Sequence, residues 1–188
     1  MEKIFRLYKN KKKSIMNSIY EFASVFAVLM PILAFAFYFI FGLVSVDGKS
    51  MENTLKNEDK LVILKSAYKP EYGDIVIVSR NYVNEEDVPG DPPIIKRVIA
   101  TEGQTVKIED GFVYVDSVKL DEPYTKAETF LNERSVEFPL IVESGKVIVM
   151  GDNRTNSRDS RDIGQVDTRF IIGKVLVRFY PFDKIGKP

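Results

Sequence analysis

The chain has no histidine and no cysteine among its 188 residues. A Ser-His-Asp triad, a Cys-His pair, haem ligation, a zinc site of the usual ligands and any disulfide are thereby excluded. Nucleophiles are confined to Ser, Thr, Lys, Tyr or a carboxylate, and general bases to a carboxylate, Lys, Tyr or a terminal amine. No metal and no cofactor is expected. The lack of cysteine also agrees with an exported domain that does not rely on disulfides. A surplus of either charge is missing as well: 27 basic and 27 acidic residues cancel to zero, which argues against a nucleic-acid partner.

What charge there is lies unevenly. Lys3, Arg6, Lys9, Lys11, Lys12 and Lys13 crowd the start, whereas Phe22 to Val46 contains no Asp, Glu, Lys or Arg. At 1.5 Å per helical residue such a stretch of about 25 residues reaches roughly 37 Å, longer than the ~30 Å hydrocarbon core of a bilayer. The expectation is a basic segment over 1–17, one transmembrane helix over 18–43 that Pro31 kinks, and an extracytoplasmic domain over 44–188. The basic flank holds the N-terminus in the cytoplasm, so the chain emerges on the outer face near Val44 to Asp47. A cleaved secretory signal competes, because Ala34, Phe35 and Ala36 have the small-x-small form. Bulky apolar residues follow Ala36 directly, however, and leave no polar c-region.

The rest is one domain by length and reads as β throughout. Expected strands are Lys60 to Leu64, Asp74 to Val78, Ile94 to Ala100, Thr105 to Ile108, Phe112 to Val115, Lys146 to Met150 and Ile171 to Tyr180. Glu109, Asp110 and Gly111 mark a hairpin turn. Val83 to Pro93 and Asp121 to Pro139 are polar loops, neither of them a separate domain. No internal repeat is found.

Three features carry chemistry. Residues 151 to 161 have no apolar side chain and consist of Gly, Asp, Asn, Ser, Thr and Arg. Short donors and acceptors with Arg build fixed hydrogen-bond networks, although a solvated loop would read the same way. Ser50 and Met51 follow Gly48 and Lys49 only a few residues past the apolar run. In the strand Ile94 to Ile99, alternation sets Lys96 with Ile94 and Val98, and Arg97 with Ile95 and Ile99. Both faces are apolar. Two readings stay open: both cations snorkel from an edge strand, or one is drawn inside, where desolvation lowers a lysine pKa from ~10.4 and leaves an amine able to activate a serine.

In order, Ser-Met after a membrane anchor, Gly-Asp-Ile-Val (Gly73 to Val76), Lys-Arg-Val-Ile (Lys96 to Ile99) and Gly-Asp-Asn-Arg-x-Asn-Ser-x-Asp-Ser-Arg (Gly151 to Arg161) resemble the motifs of bacterial type I signal peptidases. The resemblance covers nearly the whole chain. It implies a mainly β, antiparallel catalytic domain of signal-peptidase type behind one N-terminal transmembrane helix. The implied enzyme is a Ser-Lys dyad endopeptidase of the cell membrane that removes signal peptides from exported preproteins after a small-x-small tripeptide. It implies Ser50 as nucleophile, Lys96 as general base, Ser157 as the serine that orients that lysine, and Asp159 with Arg161 as a supporting ion pair. Asp152 and Asn153 belong to the same supporting loop, and Met51 and Ile95 match positions near shallow substrate pockets. The implied partners are preproteins and the lipid bilayer.

Two departures stand out. Some family members place a serine two residues before the nucleophile to share the oxyanion hole, and here that residue is Gly48, as in the Gram-positive branch; a lost donor can cost ~10²-fold. Asn53 stands where proline is usual. The excursion over Asp121 to Pro139 is short, unlike the large extra domain of Gram-negative members. The alternative within the family is a signal-peptidase-like chaperone or assembly factor for surface pili with little or no peptidase activity. A self-cleaving Ser-Lys repressor would need a basic DNA-binding helix-turn-helix where this chain has its apolar run.

Overall fold

The computed structural model describes residues 2–65, 68–79 and 92–188. All but the end of the loop expected over Val83 to Pro93 lies outside the described residues. The chain divides into two units at Ile40. The first is a single helix, α1 (Glu2–Ile40), with Pro31 inside it. Its part from Met16 to Ile40, 25 residues with a mean hydropathy of 2.3 over its most apolar 18, is long and apolar enough to cross a membrane. The side chains of Phe22, Leu29, Phe35 and Tyr38 are all exposed. A helix that is apolar all round has no polar face to give to water, which fits an apolar surrounding.

The apolar run does not stay helical to its end. Phe41–Ser45 forms strand β1, paired in antiparallel register with β2 (Lys60–Leu64) from Phe41 opposite Leu64 to Ser45 opposite Lys60. The cause is tertiary. Val44 and Val46 turn toward the cluster that buries Leu61 and Ile63, while Leu43 stays outside, so strand alternation wins over the hydropathy of the segment.

The other strands are β3 (Ile75–Val78), β4 (Ile94–Thr101), β5 (Thr105–Glu109), β6 (Phe112–Val115), β7 (Val118–Lys119), β8 (Leu140–Ile141), β9 (Lys146–Met150), β10 (Val166–Asp167) and β11 (Ile171–Tyr180). A four-residue helix α2 (Ser160–Ile163) precedes β10. Seven strands form one antiparallel sheet in the order β1-β2-β11-β3-β4-β9-β10, and four form a second in the order β7-β6-β5-β8. The fold is therefore mainly β with antiparallel sheets. The β5–β6 turn is the two-residue hairpin that Asp-Gly favours, with φ of 51° at Asp110 and 80° at Gly111.

Both faces of the large sheet are covered. In β3, Ile75 and Ile77 enter one cluster with Met51, Leu55 and Ile95, while Val76 and Val78 enter another with Val98, Val147 and Val149. Ile148 and Met150 of β9 join Ile99 of β4 and Val106, Val113 and Val115 of the small sheet in a third. A central strand buried on both faces reads as a continuous apolar run, so a charge placed in it has no route to water. β4 holds two such charges.

Candidate active site

Lys96 is 3 % exposed and Arg97 is 7 % exposed. The snorkelling alternative therefore fails for both. β4 pairs with β9 up to Arg97 opposite Met150, where β9 ends. Lys96 stands where Gly151 leaves the sheet, and the missing neighbour strand gives its side chain room. Its Nζ lies 2.8 Å from Ser50 Oγ and 3.1 Å from the carbonyl oxygen of Ile95.

Ser50 is brought there by a tight turn anchored in the core. The N–H groups of Glu52 and Thr54 donate to Lys49 O and Met51 O at 3.1 Å each, and that of Leu55 donates to Met51 O at 2.8 Å. Met51 and Leu55 are buried and pack against Ile95, which leaves Ser50 half-buried at the surface of that cluster. Gly48 has φ of 93°, a conformation unfavourable to any residue with a Cβ, and its N–H donates to Asn57 Oδ1 at 3.0 Å. Asn53 has φ of 108°, out of reach of proline, whose ring holds φ near −65°. Its side-chain amide instead donates to Asp152 O at 3.4 Å.

The polar loop over Gly151 to Arg161 is a buried network, not a solvated turn. Asp152 is fully buried and takes two hydrogen bonds from Arg97, Nε to Oδ1 at 2.8 Å and Nη2 to Oδ2 at 2.6 Å, with Thr54 Oγ1 donating to the same carboxylate. Tyr124 stacks its ring 4.2 Å from the Arg97 guanidinium. Burial works against the charge of Arg97, but the hydrogen bonds and field of Asp152 outweigh it and hold its pKa above the ordinary value.

Asp159, also fully buried, accepts from Arg161 Nε at 2.9 Å, Arg161 Nη2 at 3.0 Å and the Gly151 N–H at 2.9 Å. It also caps α2 through the Arg161 N–H. Burial would raise the pKa of Asp159, yet the Arg161 contacts and the Gly151 N–H overcome it and hold the carboxyl below the ordinary range. Arg161 Nη2 donates onward to Arg154 O at 2.9 Å. Arg154 in turn grips Glu122 at 2.6 Å, together with Thr129 and Gly151 O. The excursion over Asp121 to Pro139 thus supplies partners for the loop.

Several of these residues were not legible from the sequence. In the sequence Arg97 stands out only as the companion of Lys96 and Arg154 only as one residue of the polar run, and Thr54, Glu122, Tyr124 and Thr129 give no signal, since partners so far apart in the chain meet only through the fold. Gly151 was part of a motif without a stated reason. A Cβ there would collide with the Ser157 hydroxyl and the Ser50 carbonyl oxygen, so glycine is what lets the two serine segments close on each other. Ser157 has a buried Oγ that makes no hydrogen bond of normal geometry, although it lies near enough to Asp159 to favour that carboxylate. The bond from Ser157 to Lys96 that the resemblance implies is not made in this structure. Met51 and Ile95, matched to substrate pockets, lie in the core cluster beneath Ser50.

Residues 19–180 match the family described as signal peptidase, peptidase S26. The chain belongs to this family. It is 35% identical to a signal peptidase I of Bacillus licheniformis, over 95% of this chain and 95% of that protein. It is 33% identical to signal peptidase I S of Bacillus subtilis, over 95% and 96% respectively. A crystal structure of a signal peptidase I from Enterococcus faecalis aligns with a TM-score of 0.46 at 29% identity, over 59% of this chain and 99% of that one. Membership places the protein among the serine endopeptidases. The pilus-assembly alternative is not favoured by these relatives.

Proposed function

We propose that the protein is a membrane-anchored signal peptidase that cleaves exported preproteins after a small-x-small tripeptide, with Ser50 as nucleophile and Lys96 as general base. The observation that carries this reading is the 2.8 Å approach of Lys96 Nζ to Ser50 Oγ, in a chain with no histidine to take the base's place. That distance suits direct proton passage. α1 serves as a single-pass anchor with the basic N-terminus in the cytoplasm and the β domain outside. Only residues 41–49 separate the end of α1 from Ser50 in the chain.

The reaction follows as acyl transfer. Neutral Lys96 takes the hydroxyl proton as Ser50 Oγ attacks the scissile carbonyl, and the negative oxygen is met by main-chain N–H donors. Collapse of the tetrahedral intermediate breaks the C–N bond, and the Lys96 ammonium gives its proton to the leaving amine. Water, deprotonated by the now neutral Lys96, then attacks the acyl ester; as the ester C–O bond breaks, the Lys96 ammonium returns the proton to Ser50 Oγ and the enzyme is regenerated. Asp152 and Asp159 hold Arg97 and Arg161 and support the walls of the site. Met51 and Ile95, packed in the core cluster beneath Ser50, would back the sites for small substrate side chains. Confinement of enzyme and preprotein to one membrane raises their effective concentration without deep pockets.

The test is cleavage of a labelled preprotein by detergent-solubilised full-length protein, with the cut site mapped. Ser50→Ala and Lys96→Ala should each abolish cleavage and leave the melting curve in place, because the pair acts as one unit. Ser157→Ala should reduce cleavage without abolishing it, as expected of a residue that orients the base once substrate is bound. Substantial turnover by purified Ser50→Ala or Lys96→Ala would refute the dyad.

A further inference from the structure

The peptide between Lys49 and Ser50 is held by its oxygen. Lys49 O accepts from Asn153 Nδ2 at 3.1 Å and from the Glu52 N–H at 3.1 Å. This peptide is trans and planar, so its C=O and the Ser50 N–H point in opposite directions, and fixing the oxygen fixes the direction of the N–H. The following peptide is held as well: the Asn153 N–H donates to Ser50 O at 3.0 Å. One residue thus grips the main chain on both sides of Ser50. Its own amide is set by Thr155, whose hydroxyl donates to Asn153 Oδ1 at 3.1 Å and leaves Nδ2 as the donor toward Lys49.

Among the described residues no acceptor meets the Ser50 N–H. The neighbouring Gly48 N–H is already donated to Asn57. A nearby donor is spent and one is left open, beside a nucleophile.

We propose that Asn153 is a positioning residue that aims the Ser50 N–H at the oxyanion formed during cleavage. The same geometry excludes its side chain as an oxyanion donor itself, because Nδ2 lies on the carbonyl side of the peptide plane. The assignment rests on the serine–lysine reading above and adds to it the device that orients its main-chain donor.

Full-length protein in detergent supplies the test. Asn153→Asp keeps the shape but sets a carboxylate oxygen against Lys49 O, and Asn153→Ala removes the side-chain donor. Each should lower kcat on a short Ala-x-Ala peptide by ~10²-fold, the loss typical of one oxyanion donor, with KM within about twofold. A peptide aldehyde, which forms a tetrahedral adduct on Ser50, should lose affinity by a similar factor, while the matching peptide alcohol should bind as before. A merely structural role would weaken both ligands together. Thr155→Val, at an exposed position, is the companion variant should either substitution at Asn153 fail to fold; it should show the same split between aldehyde and alcohol, at a smaller factor. Wild-type kcat in the variants, or parallel loss of both ligands, would overturn the role of Asn153. A wild-type protein that neither cuts nor captures the aldehyde would instead refute the serine–lysine reading beneath it.

Discussion

Asp159→Asn is the sharpest probe of what the buried network does. The carboxylate takes two hydrogen bonds from Arg161, one from the Gly151 N–H and one as the cap of α2, all of them from donors. An asparagine replaces one acceptor oxygen with an amide N–H that faces a donor whichever way the side chain is turned. It also leaves the Arg161 guanidinium, 5 % exposed, without its counter-ion. Breaking one side of a buried pair costs about 3–5 kcal/mol, and in a domain of this size each kcal/mol lowers Tm by roughly 2–4 °C. A fall of about 6–20 °C is therefore expected in thermal melts followed by circular dichroism, with activity lost alongside it. The pH dependence has a definite sign. Because the pKa of Asp159 is depressed in the fold, its contribution is present above the ordinary carboxylate value of about 4 and is lost as pH falls below it. Wild type and Asp159→Asn should differ most near neutral pH and converge in acid. Pairing Asp159→Asn with Arg161→Met should restore part of the loss, since no buried charge is then left alone. Lost activity with an unchanged melting curve would refute the supporting role and point to Asp159 as a chemical participant.

Two further outcomes follow from the same geometry. Gly151→Ala should lower kcat at least ~10-fold and destabilise by about 1–3 kcal/mol, since its Cβ meets the Ser50 carbonyl, main chain that has no rotamer with which to yield; wild-type kcat and Tm would show that the Ser50 segment moves freely. In the pH dependence of kcat/KM on an Ala-x-Ala peptide, activity should rise along a single ionisation well above the carboxylate range. An acidic limb near ~4 would remove Lys96 from the base's role and reopen Asp152 or Asp159 for it.

Much of the β scaffold was legible in the sequence because strands β2, β6, β9 and β11 are dense in Val, Ile and Leu and end at turn residues, and each matches its expected bounds. The strands that escaped notice are of two kinds. β7, β8 and β10 have two residues each, too short for any periodicity. β1 was hidden in a longer signal: Phe41 to Ser45 continues the hydropathy of α1, and only the pairing with β2 separates it. The site divides in the same way. Ser50, Lys96 and the loop from Gly151 could be picked out because their residue types are out of place locally, a serine after an apolar run, a lysine inside a buried strand, a polar run between two strands. Their supports could not. Glu122, Thr129 and Phe130 O reach Arg154 and Arg161 from an excursion whose own sequence reads only as a loop, and Asn153 acts through a carbonyl that every residue possesses. A local sequence reports which side chains are unusual where they stand. It does not report which ordinary backbone group an unusual side chain will hold, as the Asn153 side chain holds the carbonyl oxygen of Lys49.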